Sequence, residues 1–253
     1  MRQELTEERR EKLAQLLIIN GFIQATDMAR RFNVSTETIR KDIISLEQKG
    51  VAKKSHGGAV VIKEFLERPF SRRELEYREE KQRIAARAMD FVPQKGIIIL
   101  DAGSTVHSMA KHLIYQKDLT IITNSLSVAH FLADSENKIY VVGGEVRNVT
   151  MSLVGYWANN AFKSIKADVA FLGTSGFMSH KGPCAESFIE AEMKESIIEC
   201  SRKKIVLADH SKFVSDALVE YIEWKKIDCL ITDQVPDKNW IDINNDETEL
   251  VIA

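Results

Sequence analysis

The chain has 253 residues, a net charge of −2 and 44% hydrophobic content, enough for two modest domains or one large one. No apolar run approaches the ~18 residues of a membrane span, and the opening MRQELTEERR lacks the apolar core of a signal peptide, so a cytoplasmic location without membrane association is expected. Charge is unevenly spread: residues 1–60 hold 11 Lys/Arg against 8 Asp/Glu and the remainder 24 against 29, a mildly basic head on an acidic body.

From Thr6 to Ile19, Leu13, Leu16 and Leu17 recur at helical spacing, and Gly21 ends that helix. A second short helix is predicted over 27–32 with Thr26 as N-cap, and a third after Ser35, itself a good N-cap. Ala29 is small enough for two helices to cross closely, and Val34 follows in a tight turn. On the third helix Ile39, Ile43 and Leu46 share an inward face, while Glu37, Thr38, Arg40 and Lys41 lie outside. VAKKSHGGAV after Gly50 reads as a hairpin around His56, Gly57 and Gly58. Three helices and a hairpin make a winged unit over 1–61.

A helix with a polar N-terminus and a basic outer face suits the major groove of double-stranded DNA. Arg40 can pair with guanine edges, while Ser35, Thr36, Thr38 and Lys41 hold phosphates. Lys53, Lys54 and His56 cluster where a hairpin tip reaches the sugar-phosphate backbone. The plain alternative is a small helical domain with solvated charges.

Residues 62–80 mix both charge signs densely and read as a solvated linker. Ile84, Ala85, Ala88 and Met89 then mark a helix docking on a second domain over 81–253. From Gly96 the buried runs GIIILD, LTIITNS, KIYVVGG, ADVAFLGT, KKIVLADHS, DCLITD and ELVIA alternate with helical stretches such as 106–114 and 185–201. That pattern predicts a Rossmann-like α/β domain with a mainly parallel sheet covered on both faces. Ligands of such sheets gather at the carboxyl ends of the strands. Asp101 to Thr105, Thr123 to Ser125, Gly143 with Gly144, and Asp209 to Lys212 fall there. IILDAGSTVHSMA, from Ile98, is a strand, a Gly-Ser-Thr turn and a helix, a construction that holds phosphate through backbone N–H groups. It serves an enzyme or a sensor equally well. The histidines at 107, 112, 130, 180 and 210 lack metal-ligand spacing, and Cys184, Cys200 and Cys229 lie far apart. No metal, cofactor or disulfide is expected.

RRFNVSTETIRKDIISLEQKG followed by KSHGGAV resembles the winged helix-turn-helix of the DeoR family of bacterial transcription regulators. LDAGST, TNS, VVGGEVR, SLVG, ADVAFLG, EAEMK and ADHSKF follow in the order and spacing of that family's C-terminal sensor domain, so the resemblance runs from about residue 5 to about residue 233. It implies a domain related in fold to sugar-phosphate isomerases, glucosamine-phosphate deaminases and CoA transferases, and a phosphorylated sugar or related metabolite as effector. Carried over residue by residue, it implies a phosphate turn at Gly103, Ser104 and Thr105, with Asp101 facing effector hydroxyls. Asn124, Ser125, Gly143 and Gly144 would close the pocket, and Arg147, Lys194 and Lys212 would supply positive charge. Thr174, Ser175 and Gly176 stand where the related enzymes carry a catalytic acid, and Tyr156 with Trp157 depart from the family pattern, lining either a pocket or an oligomer contact. A repressor is expected, oligomeric because one small head covers few base pairs and non-catalytic because that acid is absent; a sugar-phosphate isomerase or deaminase with a DNA-binding appendage is the alternative.

Overall fold

Leu13, Leu17, Ile39, Ile43 and Leu46 are all buried, so the apolar faces read from helical spacing are the ones turned from solvent. The computed structural model describes residues 6, 9–10, 12–14, 16–17, 20–48, 51–61, 68–235 and 248–253. The chain divides into two units, Met1–Glu67 and Arg68–Ala253.

In the first unit, described residues between Thr6 and Asn20 are helical, followed by helices Ala25–Arg31 and Thr36–Gln48. The middle helix begins before Thr26, which therefore does not cap it. Gln24 occupies the cap position without a side-chain bond, because strand Phe22–Gln24 leads directly into the helix. Ser35 does cap the third helix: its Oγ accepts the Thr38 N–H at 3.1 Å. Asp42 is buried on that helix and accepts from Arg9 Nε at 2.7 Å and Arg10 Nε at 2.9 Å, which ties the first helical segment to the third.

Strands Ala52–Ser55 and Gly58–Val61 form the expected hairpin, turned at His56 and Gly57. Gly57 has a φ of +80°, a region costly for residues with a Cβ. Strand Phe22–Gln24 adds to the hairpin on the Gly58–Val61 side. A Cβ on Gly58 would lie 1.8 Å from the Ile23 carbonyl oxygen, so only glycine lets these backbones approach.

In the second unit, the expected linker is corrected in part. Residues 62–67 lie outside the described residues, but Phe70–Leu75 and Arg78–Ala88 are helices of this unit. Phe70 is buried with its ring 5.4 Å from that of His107, and its N–H donates to Val149 O at 2.8 Å. Ile84, Ala85 and Ala88 are fully buried.

All seven apolar runs form strands of one parallel sheet. Its spatial order is Glu249–Ile252, Cys229–Thr232, Ser201–Leu207, Ala167–Gly173, Gly96–Leu100, Leu119–Thr123, Lys138–Val141. Alternation along the strands sends side chains to two cores. Ile98 and Leu100 pack with Ile84, Val106, Met109 and Val128 on one face. Ile99 packs with Ala158, Phe162, Met193 and Ile197 on the other. The chain lays down Gly96–Leu100, builds outward through two strands, then returns to place Ala167–Gly173 on the opposite side of the first. This reversal opens a crevice beyond the strand ends, where ligands of such sheets bind. Among the described residues, no helix is long and apolar enough to cross a membrane, and no cluster of ligating side chains could hold a metal ion.

Candidate functional site

The two strands at the reversal end in Asp101 and Gly173. Asp101 Oδ2 accepts the Gly173 N–H at 3.0 Å and also bonds the Lys194 ammonium. Lys194 donates in addition to Gly173 O at 3.0 Å, as does the Tyr221 hydroxyl at 3.0 Å. Asp101, Lys194 and Tyr221 are all buried. Burial, reinforced by the Asp101 charge, raises the Tyr221 pKa, so the phenol keeps its proton and donates. The ammonium sits 5.3 Å from the Tyr221 ring centre, a favourable cation–π position.

Above this pair, Gly103 stands at the cap position of helix Ser104–Leu113 and offers no side-chain cap. First-turn N–H groups of a helix have no intrahelical partner, and with the dipole they favour an anion. A small cavity faces this turn, lined by Gly103, Ser104, Thr105, Lys194 and Lys212 among the predicted residues. Arg73, Thr174, Ser175 and Glu190 also line it. Lys212 comes from the short turn His210–Phe213, which Asp209 caps by accepting the Ser211 N–H at 3.1 Å. Burial pushes the Lys212 pKa down, while the Asp209 carboxylate opposes the shift.

Other predicted residues stand back from the cavity. Arg147 bonds Glu190 Oε1 and Thr150 Oγ1, both at 3.4 Å, and so adjoins the cavity through Glu190. Ser125 caps helix Leu126–Leu132 by accepting the Val128 N–H at 3.2 Å. Asn124 is buried, with its Oδ1 unpartnered. Gly144 packs on strand Ser152–Val154, where a Cβ would lie 2.6 Å from Val154 O; Gly143 is exposed. None of these five residues lines the cavity, and neither does Asp101. Tyr156 and Trp157 are about three-quarters exposed and do not line it either.

Sequence reasoning missed Arg73 and Lys81. Lys81 is buried; its ammonium donates to Arg73 O at 2.5 Å and Glu76 O at 2.7 Å. Burial lowers its pKa to about 8, with Asp209 pulling the other way. Both residues lie in a charge-dense stretch whose composition carries no sign of which charges turn inward.

In the first unit, Arg40, Lys41, Lys53 and His56 are exposed, and Thr36 is half-buried. Ser35 Oγ lies 2.8 Å from Thr38 Oγ1. Arg40 approaches Glu37 at 3.6 Å, and Lys54 approaches Glu47 at 3.3 Å. Exposed pairs of this kind are worth ~0–1 kcal/mol, weak enough to yield to a phosphate or base edge.

The DeoR-like helix-turn-helix model matches residues 9–65, and the DeoR C-terminal sensor domain model matches residues 76–234. The chain belongs to the DeoR family. Among similar family members, the HTH-type transcriptional regulator GolR of Listeria innocua is 36% identical over 89% of this chain and 90% of its own. The glycerol-3-phosphate regulon repressor of Escherichia coli is 30% identical over 90% of this chain and 91% of its own. Ribose 5-phosphate isomerase A of Neisseria gonorrhoeae is a looser likeness, with 22% identity, a TM-score of 0.38 and 53% of each chain covered. For this DeoR-family chain, the matched models fall one in each unit, a helix-turn-helix in the first and a sensor domain in the second.

Proposed function

We propose that this protein is a repressor whose head binds operator DNA and whose second unit senses a phosphorylated sugar without transforming it. Recognition of DNA falls to helix Thr36–Gln48, with Arg40 reading bases and Lys41 holding phosphate. The hairpin tip at Lys53, Lys54 and His56 follows the backbone. One observation carries the sensor reading: an uncapped helix N-terminus faces two lysines and an arginine in the crevice at the chain reversal. N–H groups and cations together offset the nearly two charges of a phosphate.

A base for isomerisation must be a free, positioned carboxylate. Asp101 is bound to Lys194, and Glu190 is held by Arg147 and by Ser187 Oγ at 3.2 Å. Thr174 and Ser175 supply no acid. These features support sensing over turnover. We further propose a homo-oligomer, since one small head covers few base pairs and regulators of this type pair heads on repeated half-sites. The exposed Tyr156 and Trp157 offer apolar surface for that contact.

The test is an operator-binding titration of the full chain against a panel of sugar phosphates and their unphosphorylated parents. Release by a phosphorylated member alone, with no product formed on long incubation, is expected. Turnover, or equal release by the unphosphorylated sugar, would refute the reading. Sedimentation of a monomer at working concentrations would refute the oligomer.

A further inference from the structure

Arg73 carries an orphaned pair of donors. Its Nε and Nη2 are buried and have no hydrogen-bond partner, and the residue lines the cavity beside the Gly103–Thr105 turn. Those two nitrogens form one edge of the guanidinium, the edge that meets two oxygens of a carboxylate or phosphate in parallel. Buried donors are nearly always partnered, so an unpartnered charged edge calls for an explanation. The space among the lining groups is about 30 Å³, the room of a water or two. A phosphate ester therefore has to move part of the lining.

The lining groups differ in how firmly they are held. Gly173 ends a central strand, Gly103 stands at the cap position of the helix that follows the other, and Lys194 is locked on Asp101 and Gly173 O. Arg73 instead rides on a six-residue helix, Phe70–Leu75. That helix is pinned at its start by Phe70 against His107 and at its end by Lys81 on the Arg73 and Glu76 carbonyls. It is also the first element of the second unit, reached from the head through residues 62–69.

We infer that Arg73 grips the effector's phosphate with its Nε/Nη2 edge, and that this grip repositions helix Phe70–Leu75, the segment through which the chain enters the sensor unit. The inference rests on the phosphate-sensing reading above and adds to it a ligand and a route: the group that completes the anion site is the one joined most directly in sequence to the DNA-binding head. Binding energy then acts on that helix, since a ligand shifts an equilibrium only through contacts that differ between its states.

The test uses the full chain and inorganic phosphate, then ribose 5-phosphate, as calorimetric titrants against wild type, Arg73→Ala, Arg73→Lys and Lys212→Ala. Hydrogen exchange over residues 70–75 is followed in parallel. Arg73→Ala is expected to weaken phosphate binding tenfold to a hundredfold. Arg73→Lys should recover only part of that, because one ammonium cannot span two oxygens as the fork does. Phosphate should slow exchange over 70–75 in wild type and leave it unchanged in Arg73→Ala. Operator binding by Arg73→Ala without phosphate, at wild-type strength, would show that the variant is folded. Weakened binding in Lys212→Ala with wild-type binding and protection in both Arg73 variants would overturn the role of Arg73 and leave the sensor reading standing. Absence of binding to wild type by either titrant would overturn both.

Discussion

Lys194 bonds the same Asp101 oxygen that accepts the Gly173 amide, so one buried ion pair joins the ends of the two central strands. Its partners lie 93 residues apart in the chain. From sequence, Asp101 is expected to face effector hydroxyls; in the folded chain its carboxylate is engaged by Lys194 and the backbone.

Asp101→Ala is therefore expected to cost stability as well as effector response. Removing one partner of a buried pair typically costs ~3–5 kcal/mol, because the other charge is left uncompensated. The double variant Asp101→Leu with Lys194→Met should recover much of that loss. Urea unfolding of both settles the point: equal stability of Asp101→Ala and wild type would mean that the pair is not coupled.

In the head, Arg40→Ala should cost roughly 1–3 kcal/mol of operator binding and relax preference at one base position. Lys41→Ala should weaken binding to all sequences alike and reduce the slope of log affinity against log salt by about one. Fluorescence anisotropy at several salt concentrations separates the two. Wild-type binding by both variants would remove helix Thr36–Gln48 from the interface.

Gly58→Ala tests the wing. The new methyl would fall 1.8 Å from Ile23 O, a backbone atom that cannot step aside without parting strand Phe22–Gln24 from its neighbour. Loss of operator affinity is expected, with the second unit's thermal unfolding unchanged. Gly143→Ala is the control, since a Cβ there meets nothing within 4 Å.

Lys81 gives a pH signature. Burial lowers its pKa to about 8, below the ~10.4 of an unfolded lysine, so the unfolded chain holds this proton more tightly. Stability conferred by Lys81 is then lowest below about pH 8 and rises between that value and the unfolded pKa. Relative to Lys81→Met, wild type should gain on the order of 1–3 kcal/mol across that window. Denaturation of both proteins at about pH 7 and about pH 9.5 measures it, and a difference independent of pH would contradict the assignment.

Much of this architecture is legible in the chain because it rests on apolar pattern. The inner strands of the sheet are near-continuous runs of Ile, Val, Leu and Ala, whereas the edge strands Lys138–Val141 and Glu249–Ile252 are apolar runs that stay largely exposed. The turn at Gly103–Thr105 is legible for a local reason, since strand, turn and helix adjoin in sequence. Helix Phe70–Leu75 is not, because its docking depends on one phenylalanine and on a lysine turned inward. Asp42 is hidden for the same reason: a carboxylate's neighbours decide whether it faces water, and Arg9 and Arg10 lie more than thirty residues away. The place of Ser125 and Gly144 near strand ends is legible in the chain; their contacts, a helix cap and a close backbone crossing, are not.

The pairing of Gly96–Leu100 with Ala167–Gly173 bears on the order of events during synthesis. Ile97 N–H and the Asp168 side chain bond across 71 residues, and the crevice at the strand ends does not exist until the later strand has left the ribosome and crossed back. Such non-local parallel pairing forms slowly. The first unit is built from residues 1–67, and N-terminal units fold first as they emerge. A newly made molecule thus completes its helix-turn-helix before the sheet of its sensor domain can close.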